Sequence, residues 1–593
     1  MSSFFNINNI KEKIKAKKEQ KSNKELSERE FYAEYLGEID DFNVDLDKGL
    51  YLGSGMKMVG TADERKTVMP IYVQWGDLAG HLAVYGTTRV GKTRLMVSMI
   101  RQCILKGWDI FIVEPKGAVG GKKNEGKDVG VGQETMGWVM QFAEEAGRLA
   151  DFKYISPYFP ETSLKFNPLF AMANEEIASL ISTIVPAKDE FFATMGYQIT
   201  MSVLLGLEAI EKSKGEAYQQ RLMTEAYQLF YNNEEEGAEP SVDSVELIVH
   251  GDNSTEEMAQ ITPPSRVLVT FADINEWANK KKIGQLYEIV KNLSTSLNVS
   301  KLSKDEKREF LRSQKEALTA LYEMNEKDNA YYSKVSSSFN LIMSQLATGN
   351  LGKLLCTVKI NPVLDGLLKK EGGQILLIQP FPLVFKDASD AFVRVFFAIL
   401  TSMYGNIGAS GRAGKREVAM FVDEGGSVLY QGVENLFNKA GGLGFRIFIF
   451  TQSFADYESE LGPEVAKIVN DNTNIKIYMR MNDQTSRQLV AESFGQIKDA
   501  ANKYMGSKLD MRVTAAMDDK DLLLPAHMGD MQKQEFLLQY GEGRFYCCAP
   551  NQADPDVFMH VEETKRETIL NSMGVYVPVA KKDELGIAPI EVN

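Results

Sequence analysis

From about residue 50 the chain alternates short apolar runs with polar, glycine-containing turns. His81–Tyr85, Asp109–Val113, Phe152–Ile155, Gln374–Ile378, Val418–Val422, Arg446–Phe450 and Ile475–Met479 read as strands. Several are apolar throughout instead of alternating, the pattern of strands covered on both faces. Helical periodicity fills many of the gaps, so the expected class is α/β, with a central, mostly parallel sheet between helices. Between about 170 and 350 the strand signal fades, and long helical stretches such as Phe191–Ile210 and Ser303–Glu326 take over. The second opens on Ser303 with Glu306 three residues on, a capping-box spacing. Ala391–Leu400 is apolar but short and holds Arg394, which suits a buried helix. Glu535–Pro550 reads as a hairpin turning at Gly541–Gly543. The expected organisation is a polar, partly basic arm over 1–50 and a discontinuous α/β domain over 51–170 and 351–560. An inserted all-α domain covers 171–350, and a tail covers 561–593.

Composition narrows the classes. Apolar residues at 44% and charged residues at 25% exclude a wholly disordered or collagen-like chain. With 67 basic and 81 acidic residues the net charge is −14, so the chain is no general nucleic-acid coat. Contact with DNA would have to be local, in a pore or groove. Four cysteines exclude a disulfide scaffold and suggest a reducing compartment, and the dispersed His81, His250, His527 and His560 argue against a histidine-rich metal site. No window approaches the roughly 18 uninterrupted apolar residues of a membrane span, and the first residues lack a signal-peptide core. A cytoplasmic protein, soluble or held at the inner face of a membrane by a partner, is expected. Two charge runs stand out. Residues 10–25, with seven lysines and three glutamates, read as a solvated helical arm or as a contact for anionic lipid, DNA or a partner. Residues 211–260 are strongly acidic and contain Glu234–Glu235–Glu236.

The sharpest chemistry lies at Gly86–Thr93, GTTRVGKT, a complete G-x-x-x-x-G-K-[ST] loop between a strand and a helical pattern. Backbone N–H groups of Gly86, Thr87, Thr88, Arg89, Val90 and Gly91 would wrap the phosphates of ATP. Lys92 would reach the β- and γ-phosphates, and Thr93 Oγ1 would ligate Mg²⁺, with the helix's positive end aimed at the anion. Such a loop needs an acid at a neighbouring strand end. Val418–Glu424, VAMFVDE, supplies Asp423 for the metal's water shell and Glu424 to polarise the attacking water. Adjacent carboxylates at a buried strand end repel unless a cation intervenes. The strand ending at Glu114 is a rival, but it lacks a second carboxylate and reads as structural or supporting. After Arg446–Phe450 comes Thr451–Gln452–Ser453, where Gln452 could contact the γ-phosphate or the water, or the turn could simply cap the strand.

Together these residues resemble the coupling ATPases of conjugative DNA transfer, the TraD/TraG family, over roughly 50–550. YLGSG at 51–55, the phosphate loop, VEPKG at 113–117 and FNPL at 166–169 follow the family's order. So do the stretch 331–355, FVDEGG at 421–426, NKAGGLGF at 438–445, TQSFADYES at 451–459 and KIYMRMND at 476–483. The resemblance implies a P-loop (RecA-like) fold and a homo-hexameric, ATP-driven ring with an all-helical domain. Such a ring hands a relaxase with its single-stranded DNA to a type IV secretion channel, beside that channel's own ATPases. Lys92, Thr93, Asp423, Glu424 and Gln452 carry over position by position. Relatives usually begin with membrane-spanning helices and residues 1–50 hold none, so either an anchor subunit or a soluble branch is expected. Some relatives place a trans-acting arginine before the sensor strand; here Ala440–Gly441–Gly442 stand there, leaving Arg446 and Arg480 as candidates. Two alternatives stay open: a duplex-DNA pump or secretion-assembly ATPase of the same class, and a non-hydrolysing nucleotide-binding scaffold.

Overall fold

The computed structural model describes residues 44–60, 64–115, 134–170, 172–184, 190–231, 268–368, 373–380, 386–409, 416–429, 433–505 and 512–550. The basic stretch 10–25, the tail 561–593, Lys116, Gly117 and Glu234–Glu236 lie outside them. In chain order the strands among the described residues are β1 (Leu50–Lys57), β2 (Met69–Val73), β3 (Leu82–Tyr85), β4 (Asp109–Val113), β5 (Phe152–Ile155), β6 (Ile375–Ile378) and β7 (Val418–Val422). They continue with β8 (Phe445–Thr451), β9 (Ile475–Tyr478), β10 (Gln496–Met505), β11 (Arg512–Asp521), β12 (Glu535–Tyr540) and β13 (Gly543–Cys548). Eleven form one sheet in the order β2-β1-β13-β12-β9-β3-β8-β7-β4-β6-β5, and β10 and β11 form a separate ribbon. From β9 to β5 every pairing is parallel. The strands on the other side of β9 are antiparallel. The α/β, mostly parallel P-loop architecture expected from the sequence is borne out.

The parallel strands are apolar throughout because both faces are buried. Side chains alternate across a strand, so neighbours enter different cores. Ile110 and Ile112 of β4 join Leu95, Met99 and Trp138, from helices Lys92–Leu105 and Glu134–Glu145, in one core. Phe111 and Val113 join the other, which runs on into Phe392 and Phe396 of the helix Lys386–Ala409 and into the helices beyond. Between β5 and β6 every described element is helical. Ser303 caps Lys304–Glu326 with the expected box: its hydroxyl accepts from Glu306 N at 3.3 Å while Glu306 accepts from Ser303 N at 2.8 Å.

The FNPL turn closes the base of this helical stretch. Asn167 is fully buried, and its amide donates to Val269 O at 2.8 Å and Lys359 O at 3.0 Å, while its oxygen accepts from Leu169 N at 3.0 Å. One side chain thus joins the entry, the middle and the exit of the excursion.

Candidate phosphate-binding site

β3, β8 and β7 are consecutive parallel neighbours, with Tyr85 opposite Thr451 and Val422 opposite Ile449. Gly86, Gln452 and Asp423 therefore leave the sheet at one carboxyl edge, where open α/β sheets hold their ligands. Two strand spacings, about 10 Å, separate the bases of the loop and the acid pair. The helix Lys92–Leu105 packs against β4 and β7, which carries its first turn over that edge.

Loop geometry follows from its glycines. A Cβ on Gly86 would stand 2.7 Å from Met479 Cβ, so no side chain fits there. Gly91 holds φ +110° as the helix's N-cap, a region that favours glycine. Gly86 N donates to Thr451 O at 3.1 Å and Thr87 N to Arg480 O at 2.9 Å, which hangs the loop between β8 and the end of β9. Thr88 and Arg89 are exposed, and Arg89 takes φ +63°. Lys92 is 6% exposed and its ammonium donates to Gly86 O and Thr87 O, so its charge sits inside the loop. Thr93 is half-buried on the helix's first turn.

On the acidic side, Asp423 is 2% exposed and its N–H extends the ladder to Val113 O at 2.9 Å. Glu424 follows in a left-handed conformation, φ +54°, as N-cap of the short helix Gly425–Val428. A non-glycine residue held there costs about 1–3 kcal/mol, and such strain gathers at functional sites. The two glycines after it let this turn press on β8 and the next helix: added Cβ atoms would stand 2.9 Å from Ile449 Cγ1 and 2.8 Å from Asp456 Cβ. Gln452 is exposed, and its amide approaches Glu424 Oε1 at 3.5 Å. The capping function weighed for this turn belongs to Ser453, whose hydroxyl accepts from Asp456 N at 3.3 Å. Oxygen donors of the kind magnesium takes, the Thr93 hydroxyl and the Asp423 carboxylate, thus gather at one edge beside a buried ammonium; that donor set fits Mg²⁺.

Other candidates separate. Glu114 accepts from Thr135 Oγ1 and Gln379 Nε2, both at 2.7 Å, and Tyr154 OH extends the network to Gln379 at 2.9 Å. That is a buried supporting network, as the sequence suggested. Arg446 lies at the amino end of β8, away from the loop, 8% exposed and paired with Glu417 at 2.8 Å. Its guanidinium also donates to Gly441 O at 2.6 Å, so it is engaged within its own chain. Arg480 is half-buried beside its own phosphate loop. Sequence reasoning gave two further residues at the loop no role: Asn482, within the KIYMRMND stretch, whose amide donates to Thr87 Oγ1 at 3.2 Å, and Gln534, whose N–H donates to Val90 O at 2.8 Å.

The sheet order, the glycine loop and the acid-ended neighbouring strand place the fold in the P-loop class. Residues 417–533 match the family model described as the TraM recognition site of TraD and TraG. This C-terminal part of the chain is similar to the TraD/TraG family, and the resemblance read from the sequence is borne out over it. No curated protein sequence matches the chain. Among solved structures, the bacterial conjugative coupling protein TrwBdeltaN70 in its unbound monoclinic form is 13% identical, with a TM-score of 0.47, covering 85% of this chain and 95% of that one. The plasmid coupling protein TrwB in complex with ADP and Mg²⁺ gives 13%, 0.48, 91% and 100%. VirB4 of Thermoanaerobacter pseudethanolicus gives 11%, 0.41, 86% and 98%. Among the described residues no helix is long and apolar enough to cross a membrane.

Proposed function

We propose that the chain is an ATP-hydrolysing motor that couples a relaxase–single-stranded DNA substrate to a type IV secretion channel in conjugation. One observation carries the reading: the phosphate loop and the Asp423–Glu424 pair leave near-neighbour parallel strands at the same edge. The TraD/TraG domain over 417–533 supports the conjugative setting and a TraM-like partner for that segment.

In this reading the loop's N–H groups and Lys92 hold the triphosphate, and the Lys92 ammonium exchanges the Gly86 and Thr87 carbonyls for β- and γ-phosphate oxygens. Thr93 and Asp423 would hold Mg²⁺, which would supply charge neutralisation across the phosphates. Glu424 orients and polarises the attacking water, and Gln452, already beside Glu424, steadies it. Little covalent work falls to the protein; positioning and charge stabilisation carry the rate. The chains form a hexameric ring around the DNA, with 171–350 as the inserted domain that meets cargo, and stand by the secretion-channel ATPases at the cytoplasmic face of the membrane through an anchor subunit.

The test is the ATPase rate of the full chain with no DNA, with single-stranded DNA and with duplex DNA, each at two salt concentrations. Single strands should stimulate hydrolysis, and salt should erode the effect, because phosphate contacts release counterions. Stimulation by duplex alone would reassign the motor to duplex pumping. Binding of ATP without hydrolysis in any condition would leave a scaffold.

A further inference from the structure

The phosphate loop is braced from a part of the chain that its motif does not include. We propose that Asn482 and Gln534 are positioning residues of this loop, and that they tie its nucleotide state to the helices Gln484–Phe494 and Pro525–Asp530. The inference rests on the nucleotide reading above. Asn482 Nδ2 holds Thr87 Oγ1 at 3.2 Å. Gln534 N holds Val90 O at 2.8 Å, and a Cβ on Gly91 would stand 3.2 Å from Gln534 Cγ. These contacts grip the loop near its start and near its end.

The same two residues are fixed to each other through the intervening helices. Arg487, on the helix Gln484–Phe494, donates to Met481 O at 2.7 Å and to Asn482 O at 3.0 Å. Its guanidinium lies against the helix Pro525–Asp530 so closely that a Cβ on Gly529 would stand 2.5 Å from Arg487 Nη1. Met481 N reaches Met528 O at 3.4 Å, and Leu522 N donates to Gly495 O at 3.0 Å where the ribbon β10–β11 returns. Gln534 then closes the circuit. It holds φ +72°, a left-handed conformation rare for a side-chain-bearing residue, with its N–H on Val90 and its carbonyl accepting from Ala549 N at 2.9 Å. Strain of this kind persists where the surroundings over-determine it.

Nucleotide binding must disturb this circuit at one atom group. Lys92 Nζ bonds the carbonyl of Thr87, the residue whose side chain Asn482 holds. When Lys92 turns to phosphate, Thr87 loses that bond, and the change passes through Asn482 to Arg487 and both helices. Coupling between two sites is reciprocal, so a partner seated on these two helices, within the stretch matched by the TraM-recognition model, shifts nucleotide affinity in turn.

Hydrogen exchange on the full chain, with and without a non-hydrolysable ATP analogue, reads this directly. In the parent protein the analogue should slow exchange in 86–93 and also in the helices Gln484–Phe494 and Pro525–Asp530. In Asn482→Ala the slowing should stay within the loop, and KM for ATP should rise about tenfold with kcat little changed. Thr87→Val combined with Asn482→Ala should be no worse than the more damaging single change, because both remove one bond. Parent-like KM and parent-like remote protection in Asn482→Ala would overturn the proposal, since a merely structural surface amide gives that result. If the chain binds the analogue but turns over no ATP, the motor reading fails while the exchange pattern still decides this one. A chain that binds no nucleotide rejects both.

Discussion

Lys92 shows how a single side chain ties the site together: a buried ammonium needs acceptors, and the loop offers its own Gly86 and Thr87 carbonyls. Lys92→Ala should remove nearly all turnover and most ATP affinity, measured by steady-state hydrolysis and equilibrium binding. His81, at the amino end of β3, is a different kind of residue. It is 1% exposed, with Nε2 bonded to Phe437 O at 3.0 Å and Nδ1 accepting from Ile447 N at 3.2 Å. Burial first, and Arg446 nearby, pull its pKa from 6.5 down to about 4 against the opposing bond to Phe437. The unfolded imidazole takes a proton as pH falls through 6.5, while the folded one stays neutral until about 4. Stability is therefore full above 6.5 and is lost progressively between 6.5 and 4. Urea unfolding should show a loss of about 2 kcal/mol between pH 7 and pH 5 from this group, and His81→Gln should lack that component. Lys92, Thr93, Asp423 and Glu424 were legible in the sequence because their motif is contiguous or sits directly after an apolar strand. The contacts of Asn482 and Gln534 were not: Asn482 falls in the KIYMRMND stretch but meets Thr87 across 395 residues, and Gln534 belongs to no recognised stretch.

Elements were readable where burial on two sides made them apolar. β3 to β9 sit within a residue or so of the expected strands, and the β12–β13 hairpin turns at Gly541–Glu542 as the glycines indicated. β1 escaped because LYLGSGMK is broken by glycines whose reason is tertiary. A Cβ on Gly53, at φ +132°, would stand 2.0 Å from Cys548 O. Such close approach between strands leaves a sequence that resembles a turn. β10 and β11 are long but mixed in polarity, and no periodicity marked them. The clasp at Asn167 is the element-scale counterpart of the nucleotide loop. Asn167→Ala would leave Val269 O, Lys359 O and Leu169 N without this partner in a buried site, and should lower stability by about 2–4 kcal/mol in denaturant unfolding. A change well below 1 kcal/mol would mean that the helical excursion is anchored elsewhere.

At the scale of the molecule, the proposed motor would have to move a polyanion with a chain of net charge −14, so contact with the strand would fall to locally placed basic groups. Stimulation by DNA should therefore be steeply salt-dependent and indifferent to sequence. The proposed nucleotide site draws on two distant parts of the chain, with the helical excursion between them, so its chemistry would need the folded core to form first. The most direct measurement compares ATP binding and single-turnover hydrolysis in the parent chain and in Glu424→Gln. The variant should bind ATP as the parent does and hydrolyse it at least about a hundredfold more slowly, the usual effect of losing the group that activates water. Hydrolysis at the parent rate would contradict the account, because the acid beside Asp423 would then play no part at the phosphate loop.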